Sequence, residues 1–144
     1  MLGVIMSIVA GAAMSFQGVI NTRLSEKIGL YESNVFAQAT ALVLGLVAML
    51  IMGKGDFSQI GSVSKIYLLG GVLGTVITIT VMLAIGNLSP AMAISIILIS
   101  QLLVAAIIEA FGWLGSEQID FHWTKWLGLG LMIVGVITFK YKTS

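Results

Sequence analysis

Long apolar stretches separated by short polar breaks make up almost the whole chain. Five of them reach or approach the roughly 20 residues that an α-helix needs to cross a bilayer. They cover residues 2–22, 33–52, 66–86, 90–112 and 124–139. The fourth starts at Ser89-Pro90, a typical N-cap followed by proline at the first helical position. The pattern predicts an all-α integral membrane protein with a single five-helix transmembrane domain, residues 1–144, and no soluble domain.

Composition supports a membrane environment. The chain is 58% hydrophobic and only 9% charged, whereas soluble domains carry about 25% charged residues. Seventeen glycines and one proline suit packed transmembrane helices. The first apolar stretch has no preceding cation, and Arg23 and Lys27 follow it. We therefore expect a retained transmembrane helix there and not a cleaved signal peptide.

Cationic residues are divided almost evenly between the two predicted membrane faces. The face where odd-numbered helices end receives Arg23, Lys27, Lys140 and Lys142, and the opposite face receives Lys54, Lys65 and Lys125. Because an excess of Lys and Arg on one face sets orientation, this small bias leaves two interpretations. The protein inserts in both orientations and pairs as an antiparallel homodimer, or it has one weakly set orientation. We favour the first.

Four amide side chains flank the polar break between the first two stretches. Gln17 and Asn21 share a face of one helix, and Asn34 and Gln38 share a face of the next, since residues i and i+4 are neighbours. A rise of 1.5 Å per residue puts the glutamines about 7 Å from the midplane and the asparagines one turn further out, level with each other. The amides either clamp the hairpin by hydrogen bonds or line a path for a polar solute.

Two more polar groups lie within the fourth stretch. Gln101 is close to its centre and must face protein or water, so it is a candidate for substrate contact. Glu109 is the only acidic residue inside the five stretches, about 13 Å from the centre. It either binds a proton or cation, or it reaches interfacial water. In an antiparallel pair it would be level with the partner subunit's Asn21 and near the partner subunit's Arg23.

Small, hydroxyl and aromatic residues have simpler interpretations. Small residues at close spacing favour helix packing within one subunit: Gly11 and Ser15, Gly70 and Gly74, and Gly128, Gly130 and Gly135. Threonines at mid-depth are expected to bond to the carbonyl one turn back: Thr75, Thr78 and Thr80. Aromatic belts are expected at both membrane interfaces: Trp113, Trp123 and Trp126 on one face, and Tyr31, Phe139 and Tyr141 on the other.

Enzyme chemistry is not indicated. The chain has no cysteine, and it shows no Ser/His/Asp set or glycine-rich phosphate loop. His122 is the lone histidine and has no companions at metal-ligand spacing. A net charge of +1 gives no reason to expect nucleic acid as a partner. We expect no catalytic residue, no cofactor and no metal, with the lipid bilayer and a small-molecule substrate as partners.

The order of these features resembles a known family. The second half reads "AIGNLSPAMAISIILISQLLVAAIIEAFGW" and then "WLGLGLMIVGVITF". It is similar to the five-helix repeat of the drug/metabolite transporter superfamily, with Trp126, Gly128, Gly135 and Val136 on the repeat's last-helix pattern. The first half, "GAAMSFQGVINTRLSEKIG", resembles the short YdcZ-like branch, in which the spacing of Gln17 and Asn21 precedes a charged turn.

The resemblance implies a multi-pass transporter of the bacterial inner membrane whose larger relatives contain two inverted five-helix repeats. A chain with one repeat would need a partner in the opposite orientation, hence an antiparallel homodimer. The small multidrug-resistance branch carries an essential glutamate in its first helix, where this chain has Gln17. Drug/proton antiport through that glutamate is therefore not supported, and Glu109 is the only candidate for ion coupling.

Together these observations predict a secondary transporter of a small polar or cationic metabolite that works by alternating access in an antiparallel homodimer. The candidate substrate-binding residues are Gln17, Asn21, Asn34, Gln38 and Gln101. Two alternatives stay open. One is a dual-topology channel that passes an ion or solute passively. The other is a non-transporting membrane subunit in which the amides are purely structural.

Overall fold

The computed structural model describes residues 1–119 and 122–141, with side chains described up to Phe139. Its α-helices are α1 (Leu2–Ile28), α2 (Leu30–Met52), α3 (Gly70–Asn87), α4 (Pro90–Phe111) and α5 (Trp123–Tyr141). Short 3-10 helices cover Phe57–Gly61, Lys65–Leu69 and Trp113–Gly115. The all-α prediction is thereby confirmed over the described ranges. Lys142 lies outside them, as do the side chains of Lys140 and Tyr141.

Within the described ranges, four segments are long and apolar enough to cross a membrane: Leu2–Ile28, Leu30–Met52, Lys65–Asn87 and Pro90–Phe111. The apolar part of α5, Trp123–Phe139, is shorter. At 1.5 Å per residue it covers about 25 Å, slightly less than the roughly 30 Å hydrocarbon core. Such a helix fits the bilayer best with little tilt and with its ends at the interfaces.

The chain divides into two compact units, Met1–Asn87 and Leu88–Ser144. In the first unit α1, α2 and α3 all pack against one another. In the second unit α4 packs against α5. The single five-helix domain stays a prediction.

The junction between α1 and α2 differs from the charged turn that the sequence suggested. α1 continues to Ile28 and α2 starts at Leu30, so Gly29 alone separates them. Charged side chains end the apolar stretch without ending the helix, and within this last part of α1 Arg23 pairs with Glu26 one turn on, at 3.1 Å. Gly29 has φ 104° and ψ 156°, a backbone region reserved for glycine. A Cβ there would also overlap the Glu32 carboxylate.

The connection between α2 and α3 contains more irregular backbone than predicted. The third transmembrane helix was predicted to begin at residue 66, but Lys65–Leu69 forms a 3-10 helix and α3 starts only at Gly70. Earlier in the connection, Asp56 accepts hydrogen bonds from the Ser58 hydroxyl (2.7 Å) and from the Ser58 backbone N–H (2.9 Å). These two bonds hold the pKa of the Asp56 carboxyl below its usual value. They also fix the start of the first 3-10 helix.

Helices α1 and α3 approach each other closely at Gly18, a position outside the predicted small-residue pairs. A Cβ added to Gly18 would lie 2.9 Å from Ile85 Cδ1 and 3.1 Å from Val81 Cγ1. α1 and α3 can therefore approach closely only because Gly18 has no side chain.

The prediction that the other small-residue glycines pack helices within the subunit is wrong for most of them. An added Cβ would meet no described atom within 4 Å at Gly11, Gly70, Gly128, Gly130 or Gly135, and at Gly74 only Gln38 Nε2, at 3.9 Å. The spacing of small residues identifies a smooth helix face but not the face that meets a neighbour.

Both ends of α4 are well capped. Ser89 Oγ accepts from the Met92 N–H at 3.4 Å and Pro90 is the first helical residue, which confirms the predicted start. At the other end Gly112 adopts a left-handed conformation with φ 62°. The following loop then folds back onto the helix, since Gln118 Nε2 donates to the Ala110 carbonyl at 3.1 Å and the Ile119 N–H donates to the Glu109 carbonyl at 3.0 Å.

Candidate functional site

The first unit buries a group of uncharged polar residues near the junction of α1 and α2: Asn21, Thr22, Ser33 and Asn34. Ser33 is completely buried, and its hydroxyl donates to the Asn21 carbonyl at 3.1 Å. This bond places Asn21 opposite Ser33. The sequence predicted Asn21 to be level with Asn34, so the observed register differs from the predicted one by a single residue. Thr22 bonds within its own helix, to the Gly18 carbonyl at 2.7 Å.

Asn34 has the most unusual environment of the four. It is only 7% exposed, and within the described part of the chain its Oδ1 atom is buried without a hydrogen-bond partner. A buried amide oxygen without a donor is destabilising, so this atom is a strong acceptor for a donor supplied by water or by a solute.

A cleft between α1 and α3 contains the other amide pair. It is lined by Met14, Gln17, Gly18, Asn21, Ile77, Thr78, Val81 and Met82 and has a volume of about 50 Å³. Space of this size holds a few water molecules at most. Gln17 and Asn21 thus face α3. We call this space, together with the Gln38 side chain described next, the polar cleft.

Gln38 reaches the same place from α2. Its Nε2 donates to Thr78 Oγ1 at 3.5 Å, and Thr78 Oγ1 in turn donates to the Gly74 carbonyl at 2.9 Å. Thr75 and Thr80 also bond to carbonyls one turn back, which confirms the prediction for all three threonines. The additional role of Thr78 as an acceptor for Gln38 was missed, because nothing in a single sequence shows which threonine faces a neighbouring helix.

The structure therefore brings Gln17, Asn21, Gln38 and Thr78 together from three helices, while Asn34 is buried one turn nearer the helix junction. Amides and hydroxyls at these positions both donate and accept hydrogen bonds. Gln101, the fifth predicted substrate residue, belongs to the second unit, and its side chain is exposed. The assignment of all five to substrate binding stays a prediction.

Glu109 has a partner that the sequence interpretation did not include. Its Oε2 atom lies 3.1 Å from Lys125 Nζ, and the two side chains are 43% and 33% exposed. Neither the ion-coupling interpretation nor the interfacial interpretation of Glu109 included Lys125. Arg23 was expected near the partner subunit's Glu109, but it pairs with Glu26 in its own helix. Consecutive antiparallel helices place the end of one beside the start of the next, which is the signal that could have predicted the pair.

A known family covers nearly the whole chain. The family described as "Putative inner membrane exporter, YdcZ" matches residues 2–138. The chain belongs to the YdcZ family. This finding confirms the resemblance drawn from the sequence and, with the apolar helices, makes the YdcZ-family chain a multi-pass protein of the inner membrane. No curated protein and no solved structure matches it.

Proposed function

We propose that this YdcZ-family protein is a secondary transporter that exports a small polar or cationic metabolite by alternating access in an antiparallel homodimer. The description of the family as an exporter favours transport over enzyme chemistry. The observation that carries the proposal is the polar cleft, which brings together Gln17 and Asn21 from α1, Gln38 from α2 and Thr78 from α3.

The chemistry of the polar cleft suits such a solute. Its uncharged amides and hydroxyl can replace part of the hydration shell of a polar solute, and amide oxygens can accept hydrogen bonds from an ammonium group. A fixed charge would make release of an oppositely charged solute slow, whereas neutral groups bind more weakly. A volume of about 50 Å³ is smaller than a metabolite, so binding would require α1 to move away from α3.

Two observations support a homodimer of inverted subunits. Lys and Arg are distributed almost evenly over the two predicted faces, so little drives a single orientation. On α3, a Cβ added at Gly70 or Gly71 would meet no described atom within 4 Å. These two glycines leave a smooth helix surface, and such surfaces favour helix association in lipid. In inverted-repeat carriers the substrate binds where the repeats meet.

Transport in proteoliposomes tests the polar cleft. Vesicles would be given a mixture of small polar and cationic metabolites, with uptake identified by mass spectrometry. We expect saturable, counterflow-competent uptake of at least one solute, reduced about tenfold by Gln38→Leu or Thr78→Val, since each removes one partly buried polar contact. Thr80→Val is the matched control, because Thr80 is exposed and bonds only within its helix.

The outcome distinguishes the alternatives. Uptake equal to that of protein-free liposomes would favour a non-transporting subunit. Single-channel currents without saturation would indicate a channel. If Thr78→Val and Thr80→Val behave alike, the polar cleft is not the binding site.

Orientation is tested separately with a reporter fused to the C-terminus. We expect both orientations in the unmodified protein, and one dominant orientation after two lysines are added beside Asn87, with transport lost because the inverted partner is missing. A single orientation in a fully active, unmodified protein would rule out the antiparallel dimer.

A further inference from the structure

A second cleft lies between α4 and α5 of the second unit and shares no lining residue with the polar cleft of the first unit. Its volume is about 400 Å³, and it is lined by Leu102, Ala105, Ala106, Glu109, Lys125, Gly128, Leu129 and Met132. Apart from the Glu109–Lys125 ion pair, every one of these residues is apolar. We call it the α4–α5 groove.

The polarity of the groove changes along its length. Glu109 lies two residues before the end of α4 and Lys125 two residues after the start of α5. The ion pair is therefore at the end of the bundle that carries Trp113, Trp123 and Trp126, residues typical of the headgroup level. Leu102 and Met132 lie seven residues along their helices from the charged pair, about 10 Å deeper in the membrane.

The floor of the groove has room for a hydrocarbon chain. Ala105, Ala106 and Gly128 contribute little side-chain volume, and a Cβ added to Gly128 would meet no described atom within 4 Å. An apolar space of this kind does not hold water stably. In a bilayer it is filled by apolar atoms, and acyl chains are the most abundant source of them.

The charged end specifies the headgroup. The pair is neutral overall but presents one anion and one cation, each partly exposed, which is the pattern that complements a zwitterion. We propose that the α4–α5 groove binds a phospholipid with a primary ammonium headgroup. The ammonium donates to the Glu109 carboxylate, the phosphate accepts from Lys125, and one acyl chain lies along Gly128 and Ala105. A quaternary ammonium has no N–H donor, so the site distinguishes ethanolamine from choline headgroups.

Native mass spectrometry of the full chain in detergent tests this selectivity. Palmitoyl-oleoyl phosphatidylethanolamine, phosphatidylcholine and phosphatidylglycerol would be titrated separately, so that only the headgroup varies. We expect the ethanolamine lipid to bind about tenfold more tightly than the choline lipid, the difference made by a charge-assisted hydrogen bond. Glu109→Gln should reduce the affinity for the ethanolamine lipid to that for the choline lipid.

The groove is tested independently of its charges. Gly128→Leu fills the floor and should weaken all three lipids about tenfold, whereas Gly45→Leu, on an equally open face of α2, should leave them unchanged. Equal affinity of the unmodified protein for ethanolamine and choline lipids would overturn the proposal. So would a Gly128→Leu protein that binds lipid normally but changes its oligomeric mass, because a second copy would then occupy the groove. Loss of transport has no bearing on either result.

Discussion

The two units solve the problem of joining helices in lipid in different ways. The first uses uncharged polar contacts away from the helix ends, such as Gln38 with Thr78, together with a close approach at Gly18. The second uses one ion pair at the end of its helices and leaves an apolar groove beneath it. A charged side chain at the centre of a spanning helix costs about 2.5–3.5 kcal/mol on insertion scales. Charge therefore suits the rim of a helix pair, and neutral hydrogen bonds suit its interior.

The two units also differ in how tightly their helices pack. At Gly18 there is no room for a side chain, whereas at Gly128 there is room for one. A transporter must hold some helices together and let others separate. The two units differ in the space left between their helices, which affects how easily those helices separate. The substitutions below test the difference, in order of decreasing effect on stability.

Placing a side chain at the two glycine positions should change the stability of the protein by very different amounts. Gly18→Leu forces side-chain atoms into Ile85 and Val81 and should destabilise the protein by about 3 kcal/mol, the upper range for overpacking. Gly128→Leu should change stability by less than about 0.5 kcal/mol. Reversible unfolding in mixed micelles, followed by circular dichroism, measures both. Equal losses would show that the second unit is as tightly packed as the first.

Gly29→Ala tests the one-residue junction of the first unit. The backbone at φ 104° is strained for any residue with a Cβ, so we expect a loss of about 2 kcal/mol. Gly45→Ala, in the middle of α2, is the control and should be neutral or stabilising by up to about 1 kcal/mol. The same unfolding measurement applies, and a neutral Gly29→Ala would mean that the junction can adopt another conformation.

Breaking the ion pair of the second unit should cost less. Because both side chains are about a third or more exposed, solvent screens the pair, and Glu109→Gln should destabilise by no more than about 1 kcal/mol. The loss should shrink as salt is added. Arg23→Gln, which breaks the more exposed pair in α1, should have an even smaller effect. A loss of several kcal/mol that does not depend on salt would contradict this description.

Gln38→Leu should have only a small effect on stability. Its hydrogen bond to Thr78 is long, 3.5 Å, and interhelical side-chain bonds in membranes contribute about 0.6 kcal/mol on average. If transport falls about tenfold while stability changes this little, Gln38 binds the solute and contributes little to the stability of the fold. A large loss of stability would instead favour the clamp interpretation of the amides.

Local chemistry accounts for the features that the sequence predicted well. Ser89-Pro90 starts α4 because an N-cap hydroxyl and a proline act within one turn. The alignment of Asn21 with the start of α2 follows from counting residues at 1.5 Å each. The end of α1 was missed because a drop in hydrophobicity marks the membrane boundary, whereas a helix ends where its backbone hydrogen bonds do, here at Gly29.

The sequence by itself determined the membrane environment, the family, the helical class and the polar residues that require a partner. Only the tertiary structure decided which partners they have: Thr78 for Gln38 and Lys125 for Glu109. It also decided that Gly18, outside the predicted pairs, is a glycine at which two helices, α1 and α3, approach closely. The physical reason is rotational. Apolar residues surround each helix on all sides, so the pattern gives a residue's depth along the helix but not the direction in which its side chain points.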